Sequence, residues 1–176
     1  MNMKKAIFLD RDGTIIADKG FVHKREDLEL LPGAAQAIKM ANEAGFLVVV
    51  ITNQSGVARG YFSEEDVKAF NHHLNQILAR EGARVDAFYY CPHHPEATVK
   101  AYRQVCSCRK PQPGLLLLAA KELGIDLSRS WMIGDSPRDV EAGKQAGCRT
   151  ILLNEEIDLL KAINQIIHGF ANEPGS

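Results

Sequence analysis

Short apolar runs alternate with helical patterns along almost all of this 176-residue chain, and that alternation constrains the fold more than any single residue. The runs at 6–9, 46–51, 87–90, 131–133 and 150–153 are apolar throughout rather than every second residue. That is the pattern of parallel strands covered on both faces. Between them lie stretches with helical periodicity at 34–44, 64–80, 114–123 and 138–146, each followed by glycine (Gly45, Gly82, Gly124, Gly147), the usual helix stop. Ser63 with Asp66 three residues on predicts a capping box at the start of the second helix. A last helix is expected over about 156–167, followed by a disordered tail at 169–176. Strand and helix in strict alternation predict a single α/β domain over 1–168, a doubly wound, Rossmann-like parallel sheet with helices on both faces.

In such a sheet, ligands bind beyond the carboxyl ends of the strands. The polar residues there are Asp10-Arg11-Asp12-Gly13-Thr14 after the first run and Thr52-Asn53-Gln54-Ser55 after the second. A Cys/His-rich loop ending in Arg109-Lys110 follows the third, and Gly134-Asp135-Ser136 follows the fourth. Each alone has an ordinary reading as a cap, a turn or a solvated charge. Together they supply what phosphoryl transfer needs: an oxygen nucleophile, a proton donor for the leaving oxygen, and positive charge around the phosphoryl oxygens. Asp10 is the candidate nucleophile and Asp12 the candidate acid/base. Thr52 and the Asn53 amide can hydrogen-bond the phosphoryl group, and Lys110 can neutralise it. A hard cation such as Mg²⁺, held by Asp10 and Asp135, would let carboxylate and phosphate approach.

Composition removes other classes. Twenty-one basic against 22 acidic residues give a formal charge of −1, so no general electrostatic case exists for nucleic acid or an anionic membrane. The first apolar run stops at Asp10, too short for a signal core or a membrane span. Four cysteines in that context predict a reducing, cytoplasmic setting, where clustered thiols bind metal more often than they pair. A monomer acting on a small molecule is expected.

The segments DRDGT, VVVITNQSG, CRKPQPG and IGDSPRD resemble the four motifs of the haloacid dehalogenase-like phosphohydrolases, over residues 5–153. The resemblance implies Asp10 as nucleophile, Asp12 as acid/base, and Thr52 and Lys110 as phosphate stabilisers. It also implies Mg²⁺ held by Asp10, Asp135 and the Asp12 carbonyl. Within that superfamily GFVH, NQSGVARG, YYCPHHP and CSCRKPQPG are similar to the branch acting on a heptose bisphosphate, which implies a role in making activated heptose for lipopolysaccharide core. The related histidinol-phosphate phosphatases, and a zinc-stabilised binding module with a vestigial site, are the alternatives. Family members often continue the fourth motif as GDK; here it is Asp135-Ser136-Pro137-Arg138-Asp139. Asp139 either orients metal-bound water or caps the next helix.

Cys91, His93, Cys106 and Cys108 form the pattern C-x-H-x12-C-x-C. Three thiolates and one imidazole would close a tetrahedral, structural Zn²⁺ site with no open position. Unmetallated thiols are the bland alternative, and spacing leaves His94 open as the imidazole ligand; the family resemblance supports zinc at the four positions. A loop of about twenty residues needs such a clamp to fix Arg109 and Lys110. The chain has no room for a large cap domain, so Asp18 to His23, with Gly20 and Phe21, is expected as a flap. Arg11, Asp18, Gly20, Phe21, Asn53, Gln54, Ser55, Arg59 and Arg109 are the candidate substrate contacts.

Overall fold

The computed structural model describes residues 2–169. Strands β1 (Ala6–Leu9), β2 (Leu47–Asn53), β3 (Ala87–Cys91), β4 (Trp131–Gly134) and β5 (Arg149–Leu152) form one parallel sheet in the order β3-β2-β1-β4-β5. Helices α1 (Ala34–Glu43), α2 (Glu64–Arg80), α3 (Gly114–Leu123), α4 (Pro137–Ala146) and α5 (Leu159–His168) connect or follow the strands. The predicted doubly wound sheet is thus present. The expected tail at 169–176 lies, Gly169 apart, outside the described residues.

The unbroken apolar character of the strands is explained by two cores, one on each face. Ile7, Leu9, Val48, Val50 and Ile133 cluster with Ile38, Phe70, Leu74, Leu78 and Ile163, under α1, α2 and α5. Their neighbours Ala6, Phe8, Val49, Ile51 and Met132 cluster with Leu115, Leu116, Ala119, Ala142 and Ala146, under α3 and α4. Each large side chain so buried contributes about 1.5–3 kcal/mol relative to exposure, which makes both faces indispensable. Cys148, just before β5, is an 8%-exposed member of the second cluster. Burial pushes its thiol up to about 12, so it is an inert core residue.

Boundaries move where capping or pairing overrides periodicity. β2 continues to Asn53 because Thr52 and Asn53 still pair with Tyr90 and Cys91 of β3. The last helix begins at Leu159, not near 156. Asn154 Oδ1 accepts from the amides of Glu156 and Ile157 and holds a turn there, and the Asp158 side chain caps the Lys161 amide. The capping box predicted from Ser63 and Asp66 is present. No described helix is long and apolar enough to cross a membrane.

Register then sets the site. Leu9, the last residue of β1, lies opposite Val50 on one side and Ile133 on the other. The next residues along these three strands include Asp10, Thr52 and Asp135, so the polar ends open at one edge of the sheet. β1 and β4 are adjacent, and the chain order reverses there. That is where a parallel sheet leaves a crevice for a ligand.

Candidate active site

Lys110 is the pivot of the site. Its side chain is 1% exposed, and its ammonium donates to Asp10 Oδ1 at 2.8 Å and to the Ile51 carbonyl at 2.7 Å. The same Nζ lies 2.7 Å from Asp139 Oδ1. Burial alone would discharge the amine, but Asp10 and Asp139 reverse this and hold its pKa above the usual lysine value. It is therefore a fixed cation. Asn53 holds the lysine's backbone: its Oδ1 accepts from the Lys110 amide at 3.0 Å and its Nδ2 donates to the Lys110 carbonyl at 3.2 Å.

Asp139 caps the next helix, one of its two expected readings, and also faces Lys110. Its Oδ2 accepts from the Ser136 amide at 3.1 Å, closing a capping box at the start of α4, while Oδ1 faces Lys110. Gly134 is required beneath it, because a Cβ there would run into the Asp139 carboxylate. Gly13, at φ 87°, makes the same allowance for Asp135.

Asp10, Asp135 and Asp139 each place one carboxylate oxygen within 4.8 Å of the others. Among the described residues, the ammonium of Lys110 faces this group, so its carboxyl groups outnumber the cation. A hard divalent cation with oxygen ligands fits that charge and donor set. Burial, and then the neighbouring Asp10 and Asp139, raise the Asp135 carboxyl above its ordinary pKa. The contribution expected of Asp12 to the cation is its backbone carbonyl; its side chain stands outside this group.

The Asp12 side chain belongs to a different network. Burial raises its pKa, although Arg11 opposes the shift. The Arg11 guanidinium spans both Asp12 oxygens at 3.1 and 3.2 Å, and Gln54 Nε2 donates to Asp12 Oδ2 and to Thr52 Oγ1. Arg11 was expected among the substrate contacts, and here the structure corrects the sequence. Its side chain is 1% exposed, stacks on Phe70, and donates to Asn71 Oδ1 and the Val22 carbonyl. Only long-range partners on α2 and in the flap reveal that it points inward.

Beyond Asp12 opens a cavity of about 290 Å³ lined by Asp12, Asp18, Gly20, Phe21, Val22, Asn53, Gln54, Ser55, Gly56, Arg109 and Arg138. Most of the candidate substrate contacts meet there. The flap is shaped by Asp18, whose Oδ1 accepts from the Gly20 amide, and by left-handed backbone at Gly20 and Phe21. Phe21 packs edge-on against Tyr61, and His23 stacks on Phe62. Arg59 does not line the cavity; its guanidinium lies 5.3 Å over the Phe21 ring, where it supports the flap from outside. Arg138 was not anticipated. Three residues after Asp135, it reads as a surface helix residue until the first turn of α4 is placed.

The four predicted ligands of the Cys/His loop come together. Cys91 Sγ lies 3.5 Å from Cys106 and 2.7 Å from Cys108, those two are 3.4 Å apart, and His93 Nδ1 is 3.6 and 3.3 Å from Cys91 and Cys108. Ligand atoms about 2.0–2.3 Å from a tetrahedral zinc would be separated by about 3.5–3.8 Å; the four distances of 3.3–3.6 Å come close to that, and the Cys91–Cys108 distance is shorter. His94 is not part of it; its Nδ1 accepts from the Glu96 amide. A second anchor ties the loop down: Tyr90 and Tyr102 both donate to the Glu64 carboxylate, at 2.7 and 2.8 Å.

A carboxylate paired with a buried lysine, and a second acid two residues on, at the ends of parallel strands fit a hydrolase of the HAD-like class, and the HAD-hydrolase-like family matches residues 107–168. More extensive matches refine this. D-glycero-β-D-manno-heptose-1,7-bisphosphate 7-phosphatases are 51% identical in Rhodopseudomonas palustris (82% of this chain, 80% of that one) and 45% identical in Escherichia coli K12 (84% and 78%). The chain belongs to their family. The crystal structure of D,D-heptose 1,7-bisphosphate phosphatase from B. bronchiseptica, complexed with magnesium and phosphate, superposes with a TM-score of 0.82 at 36% identity, covering 93% of this chain and 98% of that one.

Proposed function

We propose that this chain is a magnesium-dependent phosphatase that removes the 7-phosphate of D-glycero-D-manno-heptose 1,7-bisphosphate. The observation that carries the reading is the division of labour around β1. Asp10 is paired with a buried cation, while Asp12 points away from that cation into the cavity. Asp10 attacks phosphorus as the bond to the sugar oxygen breaks, and Asp12 delivers its proton to that oxygen. Water then attacks the aspartyl phosphate, Asp12 takes the water's proton, and the bond to Asp10 breaks to free phosphate. Lys110 and Thr52 neutralise and hydrogen-bond the phosphoryl oxygens. Gln54 and Arg11 keep the Asp12 carboxyl aimed. Magnesium, held by Asp10, Asp135 and the Asp12 carbonyl, would supply charge to bring carboxylate and phosphate together.

The Cys91, His93, Cys106 and Cys108 cluster is read as a structural zinc site that fixes Arg109 and Lys110. Its thiols suit a reducing compartment, hence the cytoplasm.

The test is phosphate release from both anomers of the heptose bisphosphate and from histidinol phosphate, with the metal content of untagged protein measured in parallel. Preferred turnover of a bisphosphate, with the β anomer favoured as in the relatives' names, is expected, together with one zinc per chain. Preference for histidinol phosphate would replace the substrate assignment. Folded, active protein without zinc would remove the structural-metal assignment.

A further inference from the structure

We infer that Arg138 is a specificity residue that holds the non-reacting phosphate of the substrate together with Arg109. The inference rests on the bisphosphatase reading above and deepens it.

The reacting centre and the cavity are adjoining regions that meet at Asp12 and Asn53. Asp10, Thr52, Lys110 and Asp135 surround the reacting phosphoryl group, and none of them lines the 290 Å³ cavity; Asp12 does. Since Asp12 gives its proton to the leaving oxygen, the space beyond it receives the leaving group. For a bisphosphate, the leaving group is a sugar carrying a second phosphate dianion.

That space holds two acids, Asp12 and Asp18, and two cations, Arg109 and Arg138. The acids have partners. Asp12 is bound by Arg11 and Gln54, and Asp18 accepts from the Gly20 amide. The cations are largely unspent. Arg109 makes one long contact, Nη1 to the His93 carbonyl at 3.5 Å, and no hydrogen bond or ion pair involves the Arg138 side chain among the described residues.

The two arginines come from separately fixed supports. Arg109 follows the Cys/His cluster directly. Arg138 sits in the first turn of α4, set by the Ser136–Asp139 capping box, with Asp139 itself held against Lys110. The capping box therefore fixes the start of the helix that presents Arg138 to the cavity. A guanidinium binds a phosphate through paired N–H donors, and two of them in one cavity match a dianion better than one does.

The experiment compares kcat/KM of wild type, Arg138→Ala and Arg138→Lys on heptose 1,7-bisphosphate and on 4-nitrophenyl phosphate, which has no second phosphate. Inhibition by the product, heptose 1-phosphate, is measured alongside. Arg138→Ala should lower kcat/KM for the bisphosphate by about 10- to 100-fold, the scale of one charge-assisted hydrogen bond, while the aryl phosphate falls less than threefold. Product inhibition should weaken by a similar factor, because the product retains the phosphate in question. Arg138→Lys should recover part of the loss. Equal losses on both substrates, no loss on the bisphosphate, or unchanged product inhibition would each overturn the assignment. If wild type fails to hydrolyse the bisphosphate, it is the substrate reading that falls, and that arm is read first.

Discussion

Asp10 and Asp12 stand two residues apart, and their surroundings assign them opposite tasks. Asp10 is held by the buried ammonium of Lys110, 2.8 Å from its Oδ1. Asp12 has its carboxyl pKa raised by burial, which extends its acid form toward neutral pH. Asp10→Asn should retain the fold and lose turnover by about a thousandfold or more, since an amide cannot form the acyl phosphate; steady-state phosphate release and circular dichroism check both halves. Asp12→Asn should cripple sugar phosphates far more than aryl phosphates, whose leaving group needs no proton. In wild type, kcat/KM for the sugar phosphate should therefore decline as pH rises through the raised Asp12 pKa, and the aryl phosphate should lack that alkaline limb. A pH–rate profile on the two substrates decides it. The acidic pair was legible in the sequence because both residues follow a strand directly. The inward turn of Arg11 was not, because its partners Asn71 and Val22 lie 60 and 11 residues away.

The segment from Cys91 to Lys110 behaves as an element although most of it is neither helix nor strand. One side is closed by the thiolate and imidazole cluster, another by Tyr102 on Glu64, and its exit by Gly114, whose amide donates to the Ser107 carbonyl at 2.8 Å. A Cβ at Gly114 would collide with that carbonyl, so helix α3 and the segment must fit as one piece. Cys108→Ser should lower stability by about 2–4 kcal/mol, reduce bound zinc and raise KM several-fold, because Arg109 and Lys110 follow the lost ligand directly. Denaturant titration, metal analysis and Michaelis–Menten kinetics supply the three readings; unchanged KM with lost metal would separate the cluster from the site. Ligand spacing exposed this element to sequence reading. The tyrosine clasp on Glu64 was hidden, since nothing in the order of residues brings 64, 90 and 102 together. The same holds for α4, whose capping residue Asp139 was visible and whose grip on Lys110 was not.

At the scale of the whole molecule, the doubly wound parallel sheet was legible, because apolar runs between glycine-closed helices admit few arrangements other than a parallel sheet. The charge balance was not, because it arises only when three strand ends are side by side. Its consequence is measurable. Magnesium should stabilise the protein without substrate, by about 2.7 kcal/mol at a hundred times its dissociation constant, or about 5–10 °C in melting temperature. Asp135→Asn should abolish that gain, and a thermal-shift titration with and without chelator shows whether it does. The crossing from β3 through α3 to β4 also divides the site by chain position. Residues up to Lys110 bring Asp10, Asp12 and the buried ammonium, and residues from 131 onward bring Asp135 and Asp139. Exposed Pro111 and Gln112 join the two parts. A chain opened at that join would leave Asp10 on one fragment and Asp135 and Asp139 on the other, so phosphate release would count only those molecules in which the fragments had found each other.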